Sequence, residues 1–90
     1  MFNGIILNQG VVKKITKSAK GTNIFLQSKL KIGKQSIGMS ISCDGVCLTL
    51  ININNKIMEF YLSKETIRRS KFNNIKPNDY VNLELPLKFS

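Results

Sequence analysis

The chain has 90 residues, of which 42% are hydrophobic and 21% are charged. This length supports one modest hydrophobic core, so we predict a single folded domain over residues 1–90, and the composition argues against a disordered chain. No apolar run approaches the roughly 18 residues of a membrane-spanning helix, and the first ten residues do not have the pattern of a signal peptide. We therefore expect a cytoplasmic protein with no membrane partner, in which thiols stay reduced.

The basic charge of the chain is spread evenly. Fourteen lysines and arginines stand against five acidic residues, for a formal net charge of +9. Such an excess is typical of nucleic-acid-binding proteins. However, the longest basic runs are only pairs, Lys13-Lys14 and Arg68-Arg69. We therefore predict a solvated basic surface and no nucleic-acid partner.

Alternation of apolar and polar residues dominates the chain from its start. It predicts six strands, over residues 4–15, 22–27, 37–43, 46–53, 56–62 and 80–85. Gly10, inside the first strand, indicates a bulge or bend there. The sequences around Asp44-Gly45 and Asn54-Asn55 predict tight hairpin turns.

One segment after the fifth strand departs from this alternation. Ser63 is a good helix N-cap residue, and Glu65 follows in the first turn, where the helix dipole favours an acid. These residues predict a helix from 64 to about 70. Pro77 and Asn78 then predict a turn over residues 76–79, in which Asn78 takes a positive φ.

Six short antiparallel strands with one or two short helices predict an all-β closed barrel. Alternation predicts which side chains fill its interior: Leu48, Leu50, Met58, Phe60 and Leu62. It places a second set on the opposite face: Cys47, Thr49, Tyr61 and Ser63. Ile37, Met39 and Ile41 form another apolar row, on the strand before.

Two cysteines, Cys43 and Cys47, lie four residues apart across the predicted turn, and they have three possible roles. A structural zinc site needs four ligands, and the chain has no histidine and no second pair of cysteines, so we predict no metal site. A disulfide is disfavoured in a reducing compartment. The third possibility is two unrelated thiols, one of them in a site. The lack of histidine also excludes a hydrolytic triad.

The residues alone therefore indicate a polar, thiol-bearing patch beside the start of a helix. Hydroxyl groups of Thr49, Ser63 and Thr66, together with main-chain groups at strand ends, could hold a small planar polar ligand there.

Five motifs of the chain occur in the order and at the spacing of a known family. They are MFNGII (residues 1–6), GMSISCDGVCLTL (38–50), FYLSKETIRRS (60–70), VNLE (81–84) and KFS (88–90). In these motifs the whole chain resembles the N-terminal half of riboflavin synthase.

The resemblance implies a fold and an activity. Riboflavin synthase has two similar six-stranded antiparallel Greek-key barrels and a C-terminal helix through which it forms a homotrimer. It converts two molecules of 6,7-dimethyl-8-ribityllumazine into riboflavin and 5-amino-6-ribitylaminouracil by transfer of a four-carbon unit. It uses no metal and no organic cofactor.

The resemblance also implies site residues. Cys47 matches the family's site cysteine and Ser40 a serine near the site, and these two are the catalytic candidates. Cys43 matches a position of no set identity, so the resemblance favours two unrelated thiols. The implied lumazine- or riboflavin-binding residues form three segments: Gly4, Ile5 and Ile6; Cys47, Leu48 and Thr49; and Tyr61, Leu62, Ser63, Lys64, Glu65 and Thr66.

Some positions depart from the family pattern. Asp44 replaces a common Asn, and Lys71 replaces an Asn, which we expect to loosen the corner after the helix. The family continues after the KFS motif into a second barrel that the given sequence does not contain. We therefore expect ligand binding with little or no turnover from this chain alone, and a homodimer of the isolated barrel.

Two other functions remain as alternatives. One is a non-enzymatic flavin- or lumazine-binding module of the antenna type. The other is a nucleic-acid-binding barrel of the OB type, although its stacking candidates are few and scattered: Phe25, Tyr61 and Tyr80.

Overall fold

The structure of the chain is a computed structural model that describes residues 8–86. It contains six strands: β1 (Asn8–Lys17), β2 (Gly21–Ser28), β3 (Ser40–Cys43), β4 (Val46–Asn54), β5 (Ile57–Ser63) and β6 (Tyr80–Glu84). One α-helix, α1 (Lys64–Arg68), and two 3₁₀ turns, Lys34–Ser36 and Lys71–Asn74, complete it. No helix within residues 8–86 has the length and apolar character needed to cross a membrane.

The strands form a closed barrel in the order β1-β2-β5-β4-β3-β6, with β6 paired to β1. All six neighbouring pairs are antiparallel. Strands β2 and β5, and likewise β3 and β6, are neighbours although they are not consecutive in the chain, which is a Greek-key arrangement. The all-β barrel predicted from the sequence is therefore confirmed.

The interior of the barrel is filled by the residues that alternation selected. The five predicted core side chains are all buried: Leu48, Leu50, Met58, Phe60 and Leu62. Strands β1, β2, β3 and β6 contribute further buried side chains, among them Val12, Ile24, Ile41 and Val81. Phe72, in the second 3₁₀ turn, is 1% exposed, so this turn packs against the same core.

The predicted tight turns are present and have the backbone conformation that their residues favour. Asp44 (φ 51°) and Gly45 (φ 85°) join β3 to β4, and Asn55 (φ 51°) and Lys56 (φ 67°) join β4 to β5. Two successive positive φ values match the twist of an antiparallel pair. Asn78 has φ 77°, as predicted for the turn before β6.

Strand β3 is shorter than the sequence indicated. We predicted a strand over residues 37–43, but β3 begins at Ser40. Gly38 has φ 99°, which no strand residue adopts, and the amide of Met39 donates to the carbonyl of Ser36 (3.0 Å). As a result Ile37 is 44% exposed, and of the predicted row only Ile41 is fully buried.

The irregularity predicted at Gly10 lies elsewhere in β1. The pairing with β2 shifts between Val12 and Lys14, whereas Gly10 pairs regularly with Ser28. A Cβ atom at Gly10 would lie 3.2 Å from Leu83 Cδ1, so the glycine permits close packing. Residues 4–7 of the predicted first strand lie outside the described residues.

The helix after β5 begins as predicted and ends earlier. Ser63 caps α1, which ends at Arg68. Ser70, predicted to be its last residue, instead accepts a hydrogen bond from the amide of Phe72 (3.2 Å) and caps the next 3₁₀ turn. The chain changes direction there because Phe72 turns inward to the core.

Candidate functional site

The barrel wall parts between β4 and β5 at the end nearest α1. Pairing of these two strands runs from Asn54 and Ile57 to Leu50 and Phe60. Within residues 8–86, no pairing joins residues 46–49 to residues 61–63. The first segment pairs with β3 on its other side, and the second pairs with β2. Within the described range, each segment therefore has an unpaired strand edge on the side that faces the other, and we call this gap the β4–β5 opening.

A bulge marks the point where the strands separate. The register of β4 against β5 shifts between Leu50 and Asn52, so Ile51 is the extra residue. Ile51 is 39% exposed. A bulge bends its strand and increases the local twist. The opening is thus bounded by the bulge at one end and by α1 at the other.

On the β4 side, the candidate side chains Cys47 and Thr49 are exposed on the outer face. In the pairing with β3, Thr49 lies opposite Ser40, and Cys47 lies opposite Ser42. The structure therefore brings the second catalytic candidate, Ser40, next to the predicted binding residue Thr49. Leu48, between Cys47 and Thr49 in β4, has its side chain in the core, so only its main-chain groups could reach a ligand.

On the β5 side, Tyr61 is 42% exposed, and its hydroxyl donates to the carbonyl of Lys20 (2.8 Å). A Cβ atom at Gly21 would lie 2.7 Å from that hydroxyl and 2.9 Å from the ring. The ring therefore lies against the β1–β2 hairpin. Leu62 is buried like Leu48 and could offer only main-chain groups.

At the corner into α1, two hydroxyls form a local network. Ser63 Oγ accepts from the amide of Thr66 (3.2 Å) and lies 3.1 Å from Thr66 Oγ1, to which it donates. The Thr66 hydroxyl keeps its own hydrogen for a further acceptor. Lys64 is exposed. The Glu65 carboxylate forms an ion pair with Arg69 (3.0 Å), the residue that follows the helix.

Three predicted binding residues, Gly4, Ile5 and Ile6, lie outside the described residues. The remaining candidates from β4, β5 and α1 border the β4–β5 opening or the corner beside it, whereas Ser40, on β3, lies one strand away from the opening, opposite Thr49. Their assignment as binding or catalytic residues stays a prediction.

The two cysteines lie in different surroundings, and neither forms a disulfide. Cys43 is fully buried, and its Sγ donates weakly to the carbonyl of Ile41 (3.6 Å). Burial, reinforced by the neighbouring Asp44 carboxylate and by Cys47, raises the pKa of Cys43 to about 12. This thiol therefore stays protonated at neutral pH, whereas Cys47 is exposed beside the opening. Among residues 8–86, no three His, Cys, Asp or Glu side chains cluster as metal ligands would.

Asp44 and Lys71 fix the β3–β4 hairpin to its neighbours. The Asp44 side chain is 7% exposed; Oδ1 accepts from the amide of Asn82 (2.9 Å), and Oδ2 lies 3.2 Å from Lys71 Nζ. Asp44 Oδ2 has no well-aligned hydrogen bond, so the Lys71 ammonium group balances the carboxylate charge as an ion pair. Lys71, which we expected to loosen this corner, connects it to the hairpin instead.

A cleft of about 370 Å³ lies on the other side of α1, between that helix and the β1–β2 hairpin. We call it the cationic cleft. Its rim carries Lys17, Lys64 and Arg68, and its apolar lining is Ile15, Ile67, Phe72 and Ile75. Sequence reasoning did not find it, because its charged residues come from distant parts of a chain in which lysine is common everywhere.

Comparison with known proteins places this arrangement in a family. Residues 3–86 match the family model described as the lumazine binding domain. The riboflavin synthase of Buchnera aphidicola subsp. Baizongia pistaciae is 38% identical over 90 residues, which are 99% of this chain and 42% of that protein. The riboflavin synthase of Escherichia coli (strain K12) is 33% identical over 93 residues, or 100% of this chain and 43% of that protein. The chain thus spans about two fifths of the length of these curated relatives.

Solved structures show the same barrel. LumP complexed with flavin mononucleotide superposes with a TM-score of 0.79 at 26% identity, over 98% of this chain and 50% of that chain. LumP complexed with 6,7-dimethyl-8-(1'-D-ribityl) lumazine superposes with a TM-score of 0.75 at 24% identity, over 100% of this chain and 50% of that chain.

Proposed function

The chain belongs to the lumazine-binding domain family, and on that premise we propose that it binds one ribityl-lumazine or riboflavin molecule at the β4–β5 opening. The observation that carries the proposal is the opening itself, where two strand segments with no mutual pairing present main-chain edges to the same gap. The predicted binding residues of both strands border it.

The chemistry of the opening suits a flat heterocycle. The edge of a pteridine ring carries alternating hydrogen-bond donors and acceptors, and a strand edge presents N–H and C=O groups in alternation. Thr66 adds a hydroxyl whose hydrogen is free to donate. In this proposal Leu48 and Leu62 contribute main-chain groups, while their side chains stay in the core.

We assign this chain one of the two ring sites that riboflavin formation needs. Two lumazines must lie face to face for a four-carbon unit to pass between them, and such orientation supplies roughly 7–11 kcal/mol of a barrier reduction. The curated relatives are named riboflavin synthase, and the chain spans two fifths of their length. The chain alone holds one such ring and turns over little or not at all. The proposed reaction uses no metal and no organic cofactor.

A second copy of the chain is the proposed partner in the absence of further domains. Tyr61, beside the opening, and Ile51, at its bulge, leave large apolar groups exposed, and Ile37 and Tyr80 add to them. Apolar surface of this kind is often buried in symmetric pairs. A homodimer would also bring two ring sites into one assembly.

Titration with riboflavin, followed by flavin fluorescence, tests the proposal. We expect saturable quenching at one riboflavin per chain, little affected by salt because riboflavin is uncharged. 6,7-Dimethyl-8-ribityllumazine should compete for the same site. Unchanged flavin fluorescence at high micromolar protein would contradict the proposed riboflavin binding.

A further inference from the structure

The cationic cleft has a chemical character that the proposed lumazine site does not use. None of the described residues that line it is acidic, and three of them are cationic, next to an apolar lining. Its volume of about 370 Å³ lies within the range of small-molecule sites. A cleft with this lining favours an anion attached to an organic group.

The positive charge of the rim is not neutralised within the described part of the chain. Lys17 and Lys64 form no ion pair among residues 8–86. Arg68 has one distant contact, 3.9 Å from Glu65, and that carboxylate is already bound by Arg69 at 3.0 Å. The rim can therefore receive an anion without breaking a strong pair.

The cationic cleft and the β4–β5 opening lie at the same end of the barrel. Gly21 and Thr22, in the wall of the cleft, pair with Ser63 and Leu62, in the wall of the opening. Paired strands are about 4.8 Å apart. Lys64 continues directly from the opening into the cleft, as the first residue of α1.

We propose that the cationic cleft binds a phosphate monoester, and that this phosphate is the terminal group of a flavin whose ring lies in the β4–β5 opening. An extended ribityl chain spans more than one strand spacing, so it can carry a phosphate past Ser63 to the rim. Arg68 and Lys17 then donate charge-assisted hydrogen bonds to the phosphate. The flavin part rests on the function proposed above; the phosphate part rests on the cleft alone. The chain therefore prefers flavin mononucleotide to riboflavin.

Two double variants with the same net charge test this preference. K17Q/R68Q removes two cations from the rim, and K29Q/K31Q removes two exposed lysines beyond the opposite end of β2. We expect the wild-type chain to bind flavin mononucleotide about tenfold more tightly than riboflavin, the effect of roughly one charge-assisted hydrogen bond. K17Q/R68Q should abolish that preference and leave riboflavin affinity unchanged, while K29Q/K31Q should retain it. Equal loss in both variants would overturn the proposal, because it would show a general charge effect.

Amide chemical shifts measured with three probes locate the phosphate. With flavin mononucleotide we expect shifts at residues 17–18 and 67–73 that riboflavin does not cause. Shifts at these amides with inorganic phosphate, and no preference for flavin mononucleotide, would support the anion site and overturn its assignment to a flavin. If riboflavin does not bind but phosphate shifts the cleft, the proposed function fails and the anion site stands. No shift with either phosphate compound would overturn the anion site.

Discussion

Thr66 is the residue for which the proposed ligand contact is most specific. Its main-chain amide donates to the N-cap residue Ser63, and its hydroxyl oxygen accepts from the Ser63 hydroxyl. The hydroxyl hydrogen of Thr66 therefore remains free to donate to the ligand. Removing the hydroxyl should leave the ligand acceptor without its partner.

We expect Thr66→Ala to weaken riboflavin binding by about 1–2 kcal/mol, as for one neutral hydrogen bond. Fluorescence titration measures the change. Thr66→Ser keeps a hydroxyl at the same place and should retain most of the affinity. Identical affinities of the alanine variant and the wild type would remove Thr66 from the site.

The two cysteines should differ in reactivity and in their effect on the ligand. Because the pKa of Cys43 is raised to about 12, an aromatic disulfide reagent at pH 7–9 should modify only Cys47 in the folded chain. Denaturant should then release the second thiol. Bound riboflavin should slow the labelling of Cys47.

Substitution gives a second measurement of the same difference. Cys47→Ser should change the spectrum or affinity of bound riboflavin, and Cys43→Ser should leave both unchanged provided the chain is folded. Equal behaviour of the two variants, in labelling or in binding, would contradict the assignment of Cys47 alone to the site.

At the scale of the elements, the sequence predicted the barrel because strand alternation and turn residues agree along most of the chain. Asp44, Gly45 and Asn55 are residue types that tolerate a positive φ, so their turn conformations could be predicted from the sequence. Strand alternation cannot show where pairing begins: Ile37 and Met39 alternate like strand residues, but the positive φ of Gly38 removes them from β3. Similarly, the sequence predicted Ser70 as the last residue of the helix. In the structure Phe72 is buried, and Ser70 is the N-cap residue of the 3₁₀ turn that contains it.

The opening could be predicted only in part, and the cationic cleft was not predicted. Alternation placed Cys47, Thr49, Tyr61 and Ser63 on one face, and the resemblance assigned them to a site. The gap itself depends on where β4 and β5 stop pairing, which is next to the bulge at Ile51. That bulge is a property of two strands together, so neither strand's sequence contains it.

The β1–β2 hairpin supports the β5 side of the opening through Gly21. An added methyl group there would overlap the Leu62 carbonyl and the Tyr61 ring, which are main-chain and packed atoms. We expect Gly21→Ala to lower the free energy of unfolding by about 2 kcal/mol or more. Chemical denaturation measures this change.

Gly33→Ala is the matched control for this prediction. Its added methyl group would meet only the end of the flexible Gln35 side chain, at 2.7 Å, so a small effect is expected. If both alanine variants lose the same stability, close packing at Gly21 is not the cause. Riboflavin affinity should fall in Gly21→Ala, because Tyr61 must move.

At the scale of the whole molecule, the isolated chain should form a homodimer with low turnover. Light scattering at tens of micromolar should give twice the monomer mass of 10.2 kDa. A lumazine turnover assay should show little riboflavin, since the chain provides one ring site per copy. A monomer would contradict the pairing, and rapid turnover would show that one barrel suffices.

The β4–β5 opening also affects how such a protein can change over evolutionary time. Main-chain amides and carbonyls are common to nearly every amino acid, so a site bordered by them retains its donors and acceptors while the lining side chains drift. Mutations that shift the bulge at Ile51 would move whole strand edges and alter the width of the gap. New ligand preferences at this barrel should therefore arise more readily from insertions and deletions near residue 51 than from exchanges of the residues along the opening.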